Sequence, residues 1–153
     1  MVRENAKNIH EKLSKENDPD VWERISYFTF EEVQDDVDLP NKTKLLSNLA
    51  CLLGMQGVEE FCLMFPVALA NGVSPIEAKE VVYQAIDYLG LGRVMPFFKV
   101  MNNILLERGV KLSLSRQATT TMDNRLEKGE ETQMRLFGPQ MKDFAKKELL
   151  IDG

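Results

Sequence analysis

The sequence is poor in the residues that carry most enzyme chemistry. Its 153 residues include one histidine and two cysteines, Cys51 and Cys62. The histidine, His10, falls in a polar segment and is expected to be a solvated surface residue, so no serine or cysteine nucleophile paired with histidine is predicted. One histidine and two separated cysteines match no zinc-ligand spacing, and Gly90-Leu91-Gly92 is too short for a dinucleotide-binding fingerprint. We therefore expect neither a metal site nor a cofactor.

Long apolar runs and an excess of positive charge are also missing. No uninterrupted apolar segment approaches the ~20 residues of a membrane span, and the first residues, MVRENAKNIHEK, are polar, unlike a signal peptide. The net charge of −5 argues against the phosphate attraction on which nucleic-acid-binding proteins depend. We expect a cytoplasmic protein that binds neither a membrane nor nucleic acid, in a compartment where its cysteines are reduced.

What the sequence does contain is helical periodicity. Apolar residues recur every three or four positions, and the period-two alternation of strands is missing. The pattern predicts one all-α domain of 153 residues, with a core at 19–109, a linker at 110–120 and C-terminal helices at 121–151. The predicted core helices, after an N-terminal helix at 3–15, span residues 19–36, 42–53, 58–70, 75–89 and 93–108.

Several helix ends carry local signals. Ser74-Pro75-Ile76-Glu77 combines a capping box with proline at the first helical position, so a helix is predicted to start there. Gly72 suits the left-handed residue that ends the preceding helix. The other expected N-caps are Asp18, Asn41 and either Thr120 or Thr121.

Two predicted helices differ in their apolar faces. In the helix at 19–36, Trp22, Ile25 and Phe28 are expected to form the apolar side. The helix at 93–108 leaves little polar face, which indicates burial on several sides or a contact between subunits.

Three segments resemble the carboxymuconolactone decarboxylase family, which includes the alkylhydroperoxidase D-like proteins. ALANGVSPIEAKEVVYQAIDYLGLG, residues 68–92, has a small-residue helix ending in asparagine-glycine, a serine N-cap, glutamates, and then tyrosine, one residue and glycine. KTKLLSNLACLLG, residues 42–54, resembles the first core helix, and residues 118–138 are similar to the linker and opening helix of two-unit members. The resemblance implies an alkylhydroperoxidase D-like bundle around a helical hairpin, assembled as a homo-oligomer, either a trimer or a hexamer.

The residues that the family uses for proton transfer are replaced in this chain. The resemblance assigns a glutamate and two histidines to positions that hold Leu45, Met64 and Gln84, and the Cys-x-x-Cys pair of the peroxidase branch is absent. Leucine and methionine cannot transfer protons and glutamine does not titrate, which argues against the decarboxylase reaction. One hypothesis is therefore an oligomeric assembly module or small-ligand-binding protein, with Met64, Gln84 and Tyr88 as walls of a small apolar pocket.

The alternative is a thiol-dependent peroxidase in which Cys51 and Cys62 replace the missing cysteine pair. A hairpin around residues 54–57 places the two cysteines at equal height, within reach of a disulfide if they face each other. On a helical wheel, however, Cys51 falls opposite the leucine stripe that is predicted for the helix at 42–53. This stripe consists of Leu45, Leu46, Leu49, Leu52 and Leu53. Pro66 provides no N–H for the carbonyl of Cys62, so a kink is expected there. Cys62 then lines a pocket or, on the competing interpretation, fills the core with Met64 and Phe65.

Overall fold

The structure is a computed structural model that describes residues 16–143, and within that range every regular element is helical. The all-α prediction is confirmed for this part of the chain. The chain divides into two compact units, Met1–Ser115 and Arg116–Gly153. The first unit contains α1 (Pro19–Tyr27), a π-helical turn (Phe28–Glu32), α2 (Val33–Asp36), α3 (Asn41–Gly54), α4 (Val58–Ala70), α5 (Pro75–Gln84), α6 (Ile86–Leu89) and α7 (Leu91–Glu107), and the second contains α8 (Arg125–Phe137).

Some predicted features lie outside the described residues. These are the helix at 3–15 with His10, and the part of the last predicted helix beyond residue 143. The alkylhydroperoxidase D-like arrangement and the oligomeric state also stay predictions, because a helical chain can pack in many ways.

The capping box at the start of α5 is confirmed. The Glu77 N–H donates to Ser74 Oγ at 3.2 Å, and the Ser74 N–H donates to Glu77 Oε2 at 2.9 Å. Lys42 Nζ, near the start of α3, lies 2.7 Å from Glu77 Oε1. The hydrogen bond from Lys42 and those from Ser74 lower the pKa of Glu77 to about 2. The Glu77 carboxylate therefore links the N-terminal ends of α3 and α5.

The end of α4 also follows its sequence signal. Gly72 has φ +92°, a left-handed conformation that glycine adopts without a steric penalty. The Val73 N–H donates to the carbonyl of Ala68 at 3.1 Å, as in a Schellman ending. This reversal brings Val73 into the core, where it is buried.

Two predicted N-caps are wrong by a few residues. Asn41 is the first residue of α3, and the N-cap position is held by Pro40, whose ψ of 139° is extended. The second unit's helix begins at Arg125 after Asn124, because the Asn124 side-chain oxygen accepts the Thr121 N–H at 2.7 Å and forms a local turn first. Side chains thus compete with the helix for the same backbone donors.

The helix predicted at 75–89 is divided in two. It breaks at Ala85 into α5 and α6, and Gly90, with φ +79°, then turns the chain into α7. The helix predicted at 93–108 begins earlier, at Leu91, so Gly92 lies within its first turn. Both α5 and α6 pack against α7.

The core lies among α3, α4, α5 and α7. The ring of Phe61 stacks on that of Phe65 at 5.5 Å between centroids and meets the edge of Phe97 at 5.2 Å. The predicted leucine stripe of α3 is confirmed, since four of its five leucines are buried and the fifth packs against the core. The stripe consists of Leu45, Leu46, Leu49, Leu52 and Leu53.

The helices α3 and α4 pack against each other across a three-residue turn. Gln56 in this turn has φ 61°, and its side-chain amide donates to the carbonyl of Leu53 at 2.7 Å. The helix α4 continues from Val58 to Ala70 across Pro66. The turn therefore makes a hairpin, with Cys51 on one arm and Cys62 on the other.

Candidate functional site

The two cysteines are free thiols on the outside of the hairpin. Both Cys51 and Cys62 are exposed. The interpretation of Cys62 as core filler is wrong, whereas Met64 and Phe65 are buried as that interpretation requires. The buried residues of α4 lie on one face of the helix. Cys62 follows Phe61 by one position, which places it about 100° further around the helix axis and outside the buried face. Peroxide in solution can reach both thiols.

The residues proposed to line a ligand pocket lie in different environments. Met64 is buried in the core, whereas Gln84 is exposed and Tyr88 is 88% exposed. A side chain so open to solvent does not wall an enclosed cavity. Leu45, at the position that the resemblance assigns to a glutamate, is also buried.

The most distinctive surface of the first unit is one side of α7. Leu91, Met95 and Leu106 are each more than half exposed, although the neighbouring face of the same helix is fully buried. With the partly buried Phe98, they occupy an arc of about 80° on the helix. The helix is thus apolar on its core side and on one flank, as the sparse polar face of this segment predicted.

Tyr83 extends this surface from α5. Its ring lies 5.4 Å from that of Phe98, and Lys79 Nζ sits 5.6 Å from the centre of the tyrosine ring. Lys79 also donates to the carbonyl of Leu112 at 3.1 Å, which holds its ammonium group at the edge. We name the surface formed by Tyr83, Leu91, Met95, Phe98 and Leu106 the α7 patch. Sequence reasoning missed the contribution of Tyr83, because the contact joins two helices.

A second exposed apolar surface runs along α1 and into the π-helical turn. Val21, Ile25 and Phe28 are each more than half exposed, and we name these three residues the α1 stripe. Of the three residues predicted to form the apolar side of this helix, Trp22 packs against the core, whereas Ile25 and Phe28 are exposed. Only one face of a helix can pack against the core, and on α1 this face carries the large indole side chain of Trp22.

The described residues contain neither a group that could hold a metal ion nor a helix that could span a membrane. Among residues 16–143, no group of three or more histidine, cysteine, aspartate or glutamate side chains is placed to hold a metal ion. In the same range, no helix has both the length and the apolar character needed to cross a bilayer.

Comparison with known proteins found no matching family model, no similar curated protein and no similar solved structure.

Proposed function

We propose that this chain is an assembly module that associates with other copies of itself through the α7 patch. The observation that carries the proposal is the exposure of Leu91, Met95 and Leu106 on a helix whose adjoining face is core. Contiguous exposed apolar side chains with a charged border are typical of protein interaction sites. Lys79 and Lys99 supply charge at this border, since Lys99 follows Met95 by one helical turn and is exposed.

The expected strength of the contact follows from the area that remains to be buried. Complete burial of a large apolar side chain contributes about 1.5–3 kcal/mol, so burying the exposed half of one contributes roughly 1 kcal/mol. Three such side chains contribute roughly 3 kcal/mol per copy. A micromolar complex requires about 8 kcal/mol after the cost of association has been offset. The partner must therefore add apolar contacts or favourable charge of its own.

Light scattering on protein eluting from a sizing column tests the proposal. The wild-type chain should exceed its monomer mass of 17.5 kDa. Met95→Glu should return the monomer mass, because the new carboxylate loses its water on burial. Asn103→Glu is the matched control, since Asn103 is exposed on the same helix about 60° outside the arc of the α7 patch. A monomeric wild-type protein at every concentration would overturn the proposal.

We also propose that the chain is a relative of the carboxymuconolactone decarboxylase family that has kept self-association but has lost the residues for proton transfer. The support is the order of the three matching segments and the replacement of the acid and base positions by Leu45, Met64 and Gln84. A trimer or hexamer is the assembly that this relation implies. Turnover of a lactone acid by the purified protein would contradict the loss of chemistry.

Thiol-dependent peroxidase activity is the second candidate, favoured by the exposure of both free thiols. One thiolate would attack hydrogen peroxide, giving a sulfenic acid as the O–O bond breaks and hydroxide takes up a proton to leave as water. The other thiol would displace a second water to form the disulfide, and an external thiol would reduce it. A loss of two hydrogens from the intact mass, absent in Cys51→Ser and Cys62→Ser, supports this activity. Unchanged peroxide turnover in both variants would refute it.

A further inference from the structure

We infer that the surface that meets the α7 patch is the α1 stripe of a second copy of this chain, so that the copies join head to tail. This inference rests on the proposed self-association through the α7 patch and identifies the other half of the contact. Its basis is a match in spacing, a match in charge, and the simultaneous exposure of both surfaces.

The two surfaces have the same helical spacing. In the α1 stripe, Val21 is followed by Ile25 four residues later and by Phe28 three residues after that. In the α7 patch, Leu91, Met95 and Phe98 repeat these steps of four and three. Two helices with equal ridges of side chains can pack along each other over two turns.

The segments that carry the two surfaces have opposite net charge. Residues 18–38 carry eight acidic side chains and one arginine, a net charge of −7, whereas residues 91–111 carry four basic side chains and one glutamate, a net charge of +3. Contact between α1 and α7 brings segments of opposite net charge together, which favours encounter and the choice of partner. Contact of either surface with its own copy would instead bring like charges together.

Both surfaces are exposed together in a single chain. Ile25 and Met95 are each more than half open to solvent, so the α1 stripe does not cover the α7 patch of its own chain. The α7 patch is therefore open in the single chain, and the opposite net charge of the segment at 18–38 makes a second copy the occupant that we infer. Because a head-to-tail contact uses two different surfaces, each copy of a pair keeps one of its two surfaces free, and the contact repeats until a ring closes or a filament grows.

A mixing experiment with two variants tests this geometry. Ile25→Lys places a positive charge in the α1 stripe, and Met95→Glu places a negative charge in the α7 patch, so each protein alone should be monomeric. An equimolar mixture should form a dimer of twice the 17.5 kDa chain mass. In that dimer the intact α1 stripe of the Met95→Glu copy meets the intact α7 patch of the Ile25→Lys copy, and growth stops there.

Matched controls exclude an effect of added charge alone. Tyr27→Lys and Asn103→Glu alter exposed positions on the same helices, outside both surfaces, and should retain the wild-type mass. Circular dichroism and thermal unfolding confirm that each variant is folded. If a variant does not fold, wild-type association measured against salt replaces it: weakening with added salt supports the charged pairing, and strengthening refutes it.

The remaining outcomes separate this inference from the proposed function. If Ile25→Lys still associates while Met95→Glu does not, the α7 patch meets another surface, and only the head-to-tail inference is overturned. A mixture that stays monomeric overturns it as well. If Met95→Glu keeps the wild-type mass, the proposed function through the α7 patch fails too.

Discussion

Replacement of Asn102 by leucine should stabilise the fold. Within the described residues, Asn102 Oδ1 is buried and accepts no hydrogen bond. A buried polar atom without a partner costs about 1–3 kcal/mol, because it has given up water and gained nothing in exchange. Leucine has the same number of side-chain non-hydrogen atoms, branched at the same position, and a slightly higher helix propensity. We expect Asn102→Leu to raise the free energy of unfolding by about 1–2 kcal/mol, or the Tm by about 2–8 °C.

The neighbouring residue provides the control for this prediction. Asn103 lies on the same helix but is exposed, so Asn103→Leu has the same change in helix propensity without the relief of a desolvated oxygen. Urea unfolding of both variants is measured in a Met95→Glu background, which is expected to stay monomeric, so that the comparison isolates the buried atom. Equal stability of the two variants, or a less stable Asn102→Leu, would refute the reasoning.

Two further predictions concern pH and the core. Hydrogen bonds from Lys42 and from Ser74 lower the pKa of Glu77 from 4.5 to about 2, so its contribution to stability is present above the unfolded value and is lost as pH falls toward 2. Urea unfolding between pH 7 and pH 2 should therefore show a smaller loss of stability in Glu77→Gln than in the wild type, and equal losses would contradict this linkage. Phe97→Ala should reduce stability by about 3–5 kcal/mol through the cavity it leaves, whereas the same change at the exposed Phe137 should cost less than about 1 kcal/mol. Equal costs in thermal unfolding would mean that the aromatic cluster does not hold the core.

Local signals made much of the fold predictable. The capping box at Ser74 and the left-handed Gly72 act within a few residues, so their effect can be derived from the sequence itself. The leucine stripe of α3 was equally clear, because its apolar residues fall on one face. The start of α8 was displaced because Asn124 makes a turn before the helix.

Rotation of the helices about their own axes could not be predicted in the same way. The helix α4 is apolar all round, so no wheel distinguishes the exposed Cys62 from the buried Phe61, and only the neighbouring helices decide it. On α1, the choice between Trp22 and Ile25 for the packed side is likewise made by tertiary contact. The two candidate surfaces depend on these rotations. The α1 stripe consists of the apolar residues that α1 does not turn toward the core, and Tyr83 becomes part of the α7 patch through a contact between two helices.

The most direct test of the account is the mass of the assembly in solution with and without an intact α7 patch. Sedimentation velocity of wild-type protein and of Met95→Glu, each over a range of concentrations, measures it. Assembly through the α7 patch predicts that the wild type sediments as a multiple of the 17.5 kDa chain and that the variant sediments as a single chain. Identical sedimentation of the two proteins would contradict assembly through this surface.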